Sequence, residues 1–326
     1  MKEELIKARK LFTEDFELEV RKNIVGYEKE LRQIVICLLS SGPRLRAHIL
    51  LEGVPGIGKT ELAKTIAVII GGKFNRIQCT PDLLPSDITG TDIWSSARET
   101  LEPRKGPVFT NILLVDEINR TTPRTQSALL EAMQEAAVTM GNTTYQLSEP
   151  FLVMATQNPI EHEGTFSLPE AQLDRFMMMI RMGYGSKEDE RILVNWGNEE
   201  RPAMKNIIKL DEILVVRSLI RKEVRIDDRQ KDYIVELVRA TRSQVGISLG
   251  GSPRAMMAIE AGSRVHAFLR GDNTVLPDDI DEVAKPILRH RLMIDDLVVQ
   301  PDKKKLDFID DLIEKDIIPA VSKGRR

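Results

Sequence analysis

The sequence predicts an α/β protein, a parallel sheet with helices on both faces followed by an all-helical domain. Three observations carry this. Short apolar runs at 47–51, 74–79, 112–115, 151–155 and 176–182 alternate with stretches of helical periodicity, as strands buried on both faces do. Strand character stops near Gly183-Tyr184-Gly185-Ser186, and only helical periodicity follows. With 326 residues the chain suits about two domains. Its composition, 42% hydrophobic and 30% charged, is that of a globular protein with a full core.

The elements follow in order. Residues 1–22 place Leu5, Ile6, Leu11, Phe12 and Phe16 at helical spacing among charges, which predicts an amphipathic helix leaning on the main domain. That domain is expected over 23–185. Ile24-Val25-Gly26 is a short apolar lead into a helix over about 27–40, stopped by Gly42-Pro43. The 47–51 strand is followed by a glycine-rich turn and a helix over 61–70 that ends at Gly71-Gly72. Two stretches interrupt the alternation. Residues 90–111 carry Gly90, Pro103, Gly106 and Pro107 between Ile93-Trp94 and Val108-Phe109. Residues 137–147 carry Gly141-Asn142 between β-prone triplets, a hairpin signal. Both are expected to project from the sheet, with ordinary surface loops as the alternative. Over 186–326, helices are expected at 187–197, 211–221, 227–243, 253–269, 277–290 and 305–322, several opened by Asp, Ser-Pro or Pro-Asp starts.

Composition also narrows function. A net charge of −3 argues against a dedicated nucleic-acid binder. Met1-Lys2-Glu3-Glu4 leads into no apolar core of a signal peptide, and every apolar run is too short to span a bilayer. Cys37 and Cys79 form no C-x-x-C, and the four histidines lack metal-ligand spacing. A cytoplasmic protein without membrane insertion is the expectation.

The chemistry starts at Gly53-Val54-Pro55-Gly56-Ile57-Gly58-Lys59-Thr60, which fits G-x-x-x-x-G-K-[ST] at every fixed position. Glycines let backbone N–H groups turn toward phosphate oxygens, and the helix opening at Glu61 adds its positive end. Lys59 supplies a point charge for β- and γ-phosphates, and Thr60 a hydroxyl for Mg²⁺. Ile112-Leu113-Leu114-Val115-Asp116-Glu117 is a buried strand ending in two carboxylates. Beside a phosphate loop, Asp116 would hold Mg²⁺ and Glu117 would act as general base for an attacking water. Asn158, at the tip of the 151–155 strand, can contact the γ-phosphate and that water, or can simply open a turn before Pro159. Arg175, beside Asp174, is either a surface ion pair or an arginine finger. Arg254 follows Pro253 at a helix start, where a positive charge is unfavourable; this implies an anion outside the helix or a nearby carboxylate.

Taken together the set resembles the AAA+ ATPase superfamily, and within it the MoxR family. The narrower resemblance rests on Leu51-Glu52-Gly53-Val54-Pro55-Gly56, Thr80-Pro81-Asp82-Leu83-Leu84-Pro85-Ser86-Asp87, Val115-Asp116-Glu117-Ile118-Asn119-Arg120, Ala155-Thr156-Gln157-Asn158-Pro159, Leu168-Pro169-Glu170-Ala171-Gln172-Leu173-Asp174-Arg175-Phe176 and Ser252-Pro253-Arg254. It covers about 22–295 and implies a P-loop NTPase sheet with a helical lid, using ATP and Mg²⁺. It also implies roles. Gly53 to Thr60, with Glu61, match Walker A, and Asp116-Glu117 match Walker B. Asn158 matches sensor 1, Arg175 a finger acting on a neighbouring subunit, and Arg254 sensor 2 in the lid. Ile24-Val25-Gly26 match the segment packing on adenine. Residues 90–111 and 137–147 match the helix-2 insert and the hairpin before sensor 1. The family implies a homo-oligomeric ring, usually hexameric, acting on protein partners that are often von Willebrand factor A domain proteins. A nucleic-acid motor and a chelatase-type motor subunit remain alternatives. Arg98, Arg104 and Lys105 support the former, diluted by Glu99 and Glu102.

Overall fold

A computed structural model of the chain describes residues 2–96, 98–157, 166–196, 202–295 and 304–323. The chain opens with α1 (Lys2–Lys10), a π-helical turn over Leu11–Asp15 and α2 (Phe16–Val20), then α3 (Glu28–Ser40). β1 (Ile49–Gly53), α4 (Lys59–Ile69) and β2 (Phe74–Gln78) follow. α5 (Pro85–Thr89) leads into β3 (Gly90–Ser95) and β4 (Thr100–Lys105). Next come β5 (Ile112–Asp116), α6 (Pro123–Glu135), β6 (Ala137–Met140), β7 (Thr143–Gln146), β8 (Leu152–Gln157), α7 (Glu170–Leu173) and β9 (Met178–Met182). The remainder holds α8 (Lys187–Trp196), α9 (Leu210–Glu223), α10 (Asp228–Ser243), β10 (Ile247–Leu249), α11 (Pro253–Arg270), α12 (Pro277–Leu288), β11 (Met293–Ile294), α13 (Lys305–Asp311) and α14 (Ile318–Lys323).

The five apolar runs form one parallel sheet in the order β2-β5-β8-β1-β9. Apart from edge strand β2, where Arg76 and Gln78 are exposed, their continuous apolar character has a geometric reason. Side chains alternate across a strand, and both faces are covered. Ile49 and Leu51 enter one apolar cluster with Ile112, Leu114, Leu152 and Met154. Leu50, Leu113, Val115, Val153 and Ala155 enter the other. The first cluster also takes in α3, α4 and the helices after residue 207, so the lid shares a core with one sheet face. Arg181 on β9 reinforces this, reaching Asp307 at 2.7 Å and Asp310 at 3.1 Å on α13.

Both interruptions are antiparallel hairpins. β3 and β4 pair from Gly90↔Lys105 to Ser95↔Thr100, and β6 and β7 from Ala137↔Gln146 to Met140↔Thr143. Gly90, at φ 92°, has no room for a side chain, since a Cβ would come within 2.2 Å of the Arg104 carbonyl oxygen.

Two expectations need correction. The region after residue 186 is not purely helical, because β10 and β11 pair antiparallel through Ile247↔Ile294. Strands of three and two residues are too short to show an alternation in sequence; tertiary closure makes them. The N-terminal helix also leans on more than the sheet domain. α2 packs on α4, but α1 runs along α9, and Arg9 donates to the Phe268 carbonyl at 2.7 Å. Leu5, Phe12 and Phe16 are buried, whereas Ile6 is exposed. Among the described residues, no helix is long and apolar enough to cross a membrane.

Candidate nucleotide site

The site is built at the carboxyl ends of β1 and β5, where ligands of open α/β sheets bind. β1 ends on Gly53, where a Cβ would lie 2.6 Å from the Met182 carbonyl oxygen. Gly56 and Gly58 have φ of 84° and 88°, with open space around an added Cβ. Glycine serves packing at the first position and backbone conformation at the other two. The first helical bond of α4 runs from Leu62 N–H to Gly58 C=O, so the helix does not use the N–H groups of Lys59, Thr60 and Glu61. Lys59 Nζ turns back to the Gly53 carbonyl at 2.6 Å. Burial holds its ammonium below the usual range, opposed by the charges of Asp116, Glu117 and Glu52.

These residues line a cleft of about 480 Å³ together with Asp116, Glu117, Arg76, Gln78 and Thr156. Gln78 on edge strand β2 lies opposite Asp116 in register. Arg76 Nε donates to Asp116 Oδ2 at 2.5 Å, and the Thr156 hydroxyl to Oδ1 at 3.3 Å. Thr156 also accepts the Glu117 N–H at 2.9 Å, tying the tip of β8 to both carboxylates. Glu117 leaves the strand in the left-handed region, φ 55°, uncommon for a residue with a side chain. Its Oε2 accepts from Gln78 Nε2 at 2.9 Å and Arg120 Nη1 at 2.8 Å. Sequence reasoning missed Arg76, Gln78 and Thr156. The alternation of exposed and buried residues along Arg76-Ile77-Gln78 was the available signal, since it marks an edge strand with a polar face.

The cleft suits a magnesium nucleotide by its donors. The Asp116 carboxylate and Thr60 hydroxyl are hard oxygen ligands of the kind Mg²⁺ takes, and an ammonium with free helix-start amides suits phosphate. Glu61 accepts from Asn23 at 2.8 Å, which fastens the 23–26 segment to α4. Ile24 is buried, and Gly26 sits against Asp189 at the start of α8. Ile24, Val25, Gly26, Val54 and Ile57 do not line the cleft. Asn158 lies outside the described residues, one position past the end of β8.

Arg175 and Arg254 lie elsewhere. They line a separate cavity of about 280 Å³ with Arg44, Arg46, His48 and Glu135. His48, which lines this cavity, precedes β1, and Gly53, which lines the cleft, closes it; these two residues stand at opposite ends of the strand, roughly 16 Å apart at 3.3 Å per residue. The His48 ring accepts the Val153 N–H at 3.0 Å and meets the Met133 carbonyl at 2.8 Å. Burial lowers its pKa to about 4, leaving it neutral. Arg254 is 3.9 Å from Asp174, which also accepts from Ser252 at 2.8 Å and from buried Arg291 at 2.7 Å. Arg175 makes no ion pair or side-chain hydrogen bond among the described residues. Arg254 therefore stands away from the phosphate loop of its own chain. The sequence locates it at a helix start, but how the lid folds back decides which end of the sheet that helix reaches.

A five-stranded parallel sheet bearing a phosphate loop and a two-carboxylate strand tip, followed by a helical lid, defines an AAA-type ATPase. Residues 48–178 match the ATPase family associated with various cellular activities, and residues 239–312 match its lid domain. The chain belongs to the MoxR family of these ATPases. It is 44% identical over 285 residues to Chaperone MoxR1 of Mycobacterium tuberculosis, covering 85% of this chain and 74% of that one. It is also 44% identical over 289 residues to the uncharacterized protein YeaC of Bacillus subtilis, covering 88% of each. Protein MoxR of Methylorubrum extorquens is 28% identical, with 94% of each chain covered. A crystal structure of a protein from Cytophaga hutchinsonii superposes with a TM-score of 0.86 at 39% identity, covering 96% of each chain. As a member of an ATPase family, the chain binds and hydrolyses ATP.

Proposed function

We propose that this ATPase works as a homo-oligomeric ring, hexameric as the family resemblance implies, whose hydrolysis cycle remodels or activates protein clients, von Willebrand factor A domain proteins among them. The observation that carries the reading is the separation of Arg175 and Arg254 from their own phosphate loop. Each subunit then carries half a site on each of two faces, and a closed ring joins them. The name of the Mycobacterium tuberculosis relative supports a chaperone role.

Within a subunit, Lys59 and the amides of Gly56 to Glu61 hold the phosphates. Thr60 and Asp116 would hold Mg²⁺, which would supply charge neutralisation for the phosphates. Glu117 takes the proton of the attacking water at its carboxylate, oriented beforehand by Gln78 and Arg120. Asn158 orients that water, and Arg175 and Arg254 of the adjoining subunit meet charge on the transferring oxygens. Ile24, Val25 and Gly26 pack on the base.

The test mixes inactive subunits. Arg175→Ala should bind ATP normally yet hydrolyse it poorly, as should Arg254→Ala. Mixed with Lys59→Ala subunits, each should recover part of the lost turnover, because some interfaces then pair an intact loop with intact arginines. No recovery at any ratio refutes the shared site. A nucleic-acid motor is less favoured. In the first hairpin Arg98 is paired with Glu102 at 3.0 Å, and Lys105 sits over the Phe109 ring. Hydrolysis stimulated by DNA with steep salt dependence would reverse that judgement; metal insertion into a tetrapyrrole would favour the chelatase reading.

A further inference from the structure

Arg76 is the cation of the cleft that the reading above leaves without a role. It lies on edge strand β2, and its guanidinium bridges Asp116 at 2.5 Å and Gln78 at 3.0 Å. The carboxylate assigned to Mg²⁺ thus already holds a cation. Its second oxygen is committed to the Thr156 hydroxyl. Lys59, the other cation of the cleft, is turned onto a carbonyl and forms no ion pair among the described residues. The two ends of the bridge differ in exposure. The Asp116 side chain is 13% exposed, whereas Arg76 is 48% exposed. The carboxylate is fixed in the protein, and the guanidinium can leave into the open cleft.

A guanidinium that close to Asp116 Oδ2 competes with a dication for the same oxygen. Mg²⁺ requires near-octahedral ligands at about 2.0–2.1 Å, and two cations on one oxygen repel each other. We propose that Arg76 is an exchangeable counter-cation for Asp116. It neutralises the carboxylate while the cleft lacks metal, and moves off into the open cleft when Mg²⁺ and nucleotide arrive together. This rests on Asp116 being the metal carboxylate. Arg76 is a charge-placing residue and takes no part in proton transfer.

The consequence concerns nucleotide binding without metal. With Arg76 present, ATP free of Mg²⁺ meets a neutralised Asp116 and a mobile cation. Without Arg76, the same phosphates meet a bare carboxylate. Arg76→Gln should therefore weaken ATP binding in EDTA while leaving binding in excess Mg²⁺ equal or tighter. The readout is the ratio of dissociation constants for a fluorescent ATP analogue in EDTA and in Mg²⁺, measured on the full chain, with thermal melting of the free protein as the folding check. The ratio should rise by about tenfold or more, the scale of one charge contact in a partly buried cleft. In an Asp116→Asn background the same substitution should change the ratio by less than about twofold. Arg76→Lys, which keeps the charge, should stay near the parent, and Arg76→Met repeats the charge removal should Arg76→Gln fail to fold. A folded Arg76→Gln with an unchanged ratio overturns the proposal, as does a rise in Arg76→Lys equal to that in Arg76→Gln. A parent chain that binds no nucleotide under either condition would instead refute the site itself.

Discussion

Asp174→Ala tests how the lid is fastened to the sheet domain. Arg291 comes from the turn after α12 and is fully buried, its side chain only 2% exposed. Burial pushes its guanidinium below the usual range, and Asp174 opposes this. Removing one partner of a buried ion pair costs about 3–5 kcal/mol, because the other charge is left uncompensated. Here the low end applies. Arg291 keeps backbone acceptors at Met177, at 3.0 Å, and at Phe176, at 2.5 Å, and one at Ile287. Ser252 loses its acceptor as well, adding about 1 kcal/mol. The sum is about 4 kcal/mol, or a fall in melting temperature of roughly 8–16 °C at 2–4 °C per kcal/mol. Differential scanning fluorimetry measures it, with Asp272→Ala as control, since Asp272 pairs with Arg270 in an exposed position. Arg291→Met added to Asp174→Ala should recover much of the loss, because an apolar replacement removes the stranded charge. A fall no larger than that of the control, or no recovery in the double variant, refutes the reasoning.

Glu117→Gln should bind magnesium ATP within a few-fold of the parent while turnover falls by about 10²–10⁴; near-normal steady-state hydrolysis would remove Glu117 as the base. Asp279 gives a pH dependence. Burial raises its pKa, but hydrogen bonds from His266, Arg270 and the Leu276 N–H outweigh this and hold it at about 2, against an ordinary value of 3.8. A depressed carboxyl stabilises the fold above its unfolded pKa and loses that contribution as pH falls through the folded one. About 2 kcal/mol should therefore disappear between roughly pH 4 and pH 2. Urea denaturation across that range should show a smaller loss in Asp279→Asn than in the parent, and equal losses would contradict the assignment.

The strands were legible because being covered on both faces forces an unbroken apolar run, as Ile112-Leu113-Leu114-Val115 illustrates. The hairpin at Gly141 was legible because its turn needs a left-handed glycine, φ 54°. The phosphate loop and the Asp116-Glu117 tip were legible because each packs several chemical requirements into adjacent residues. Arg76 and Thr156 were not. Each acts on Asp116 from forty positions away, and only strand pairing makes them neighbours. The β10–β11 ribbon was hidden for a similar reason, its partners lying more than forty residues apart.

The sequence by itself determined the class of sheet, and it placed a glycine loop and a two-carboxylate strand tip that the fold brings into one cleft, because these depend on local spacing. Tertiary structure decided where the two arginines stand. Nothing local to Leu173-Asp174-Arg175 or Ser252-Pro253-Arg254 says which end of β1 they face. Asp174 draws Ser252, Arg254 and buried Arg291 together, and that one partly buried carboxylate sets the lid against the sheet with both arginines away from their own phosphate loop.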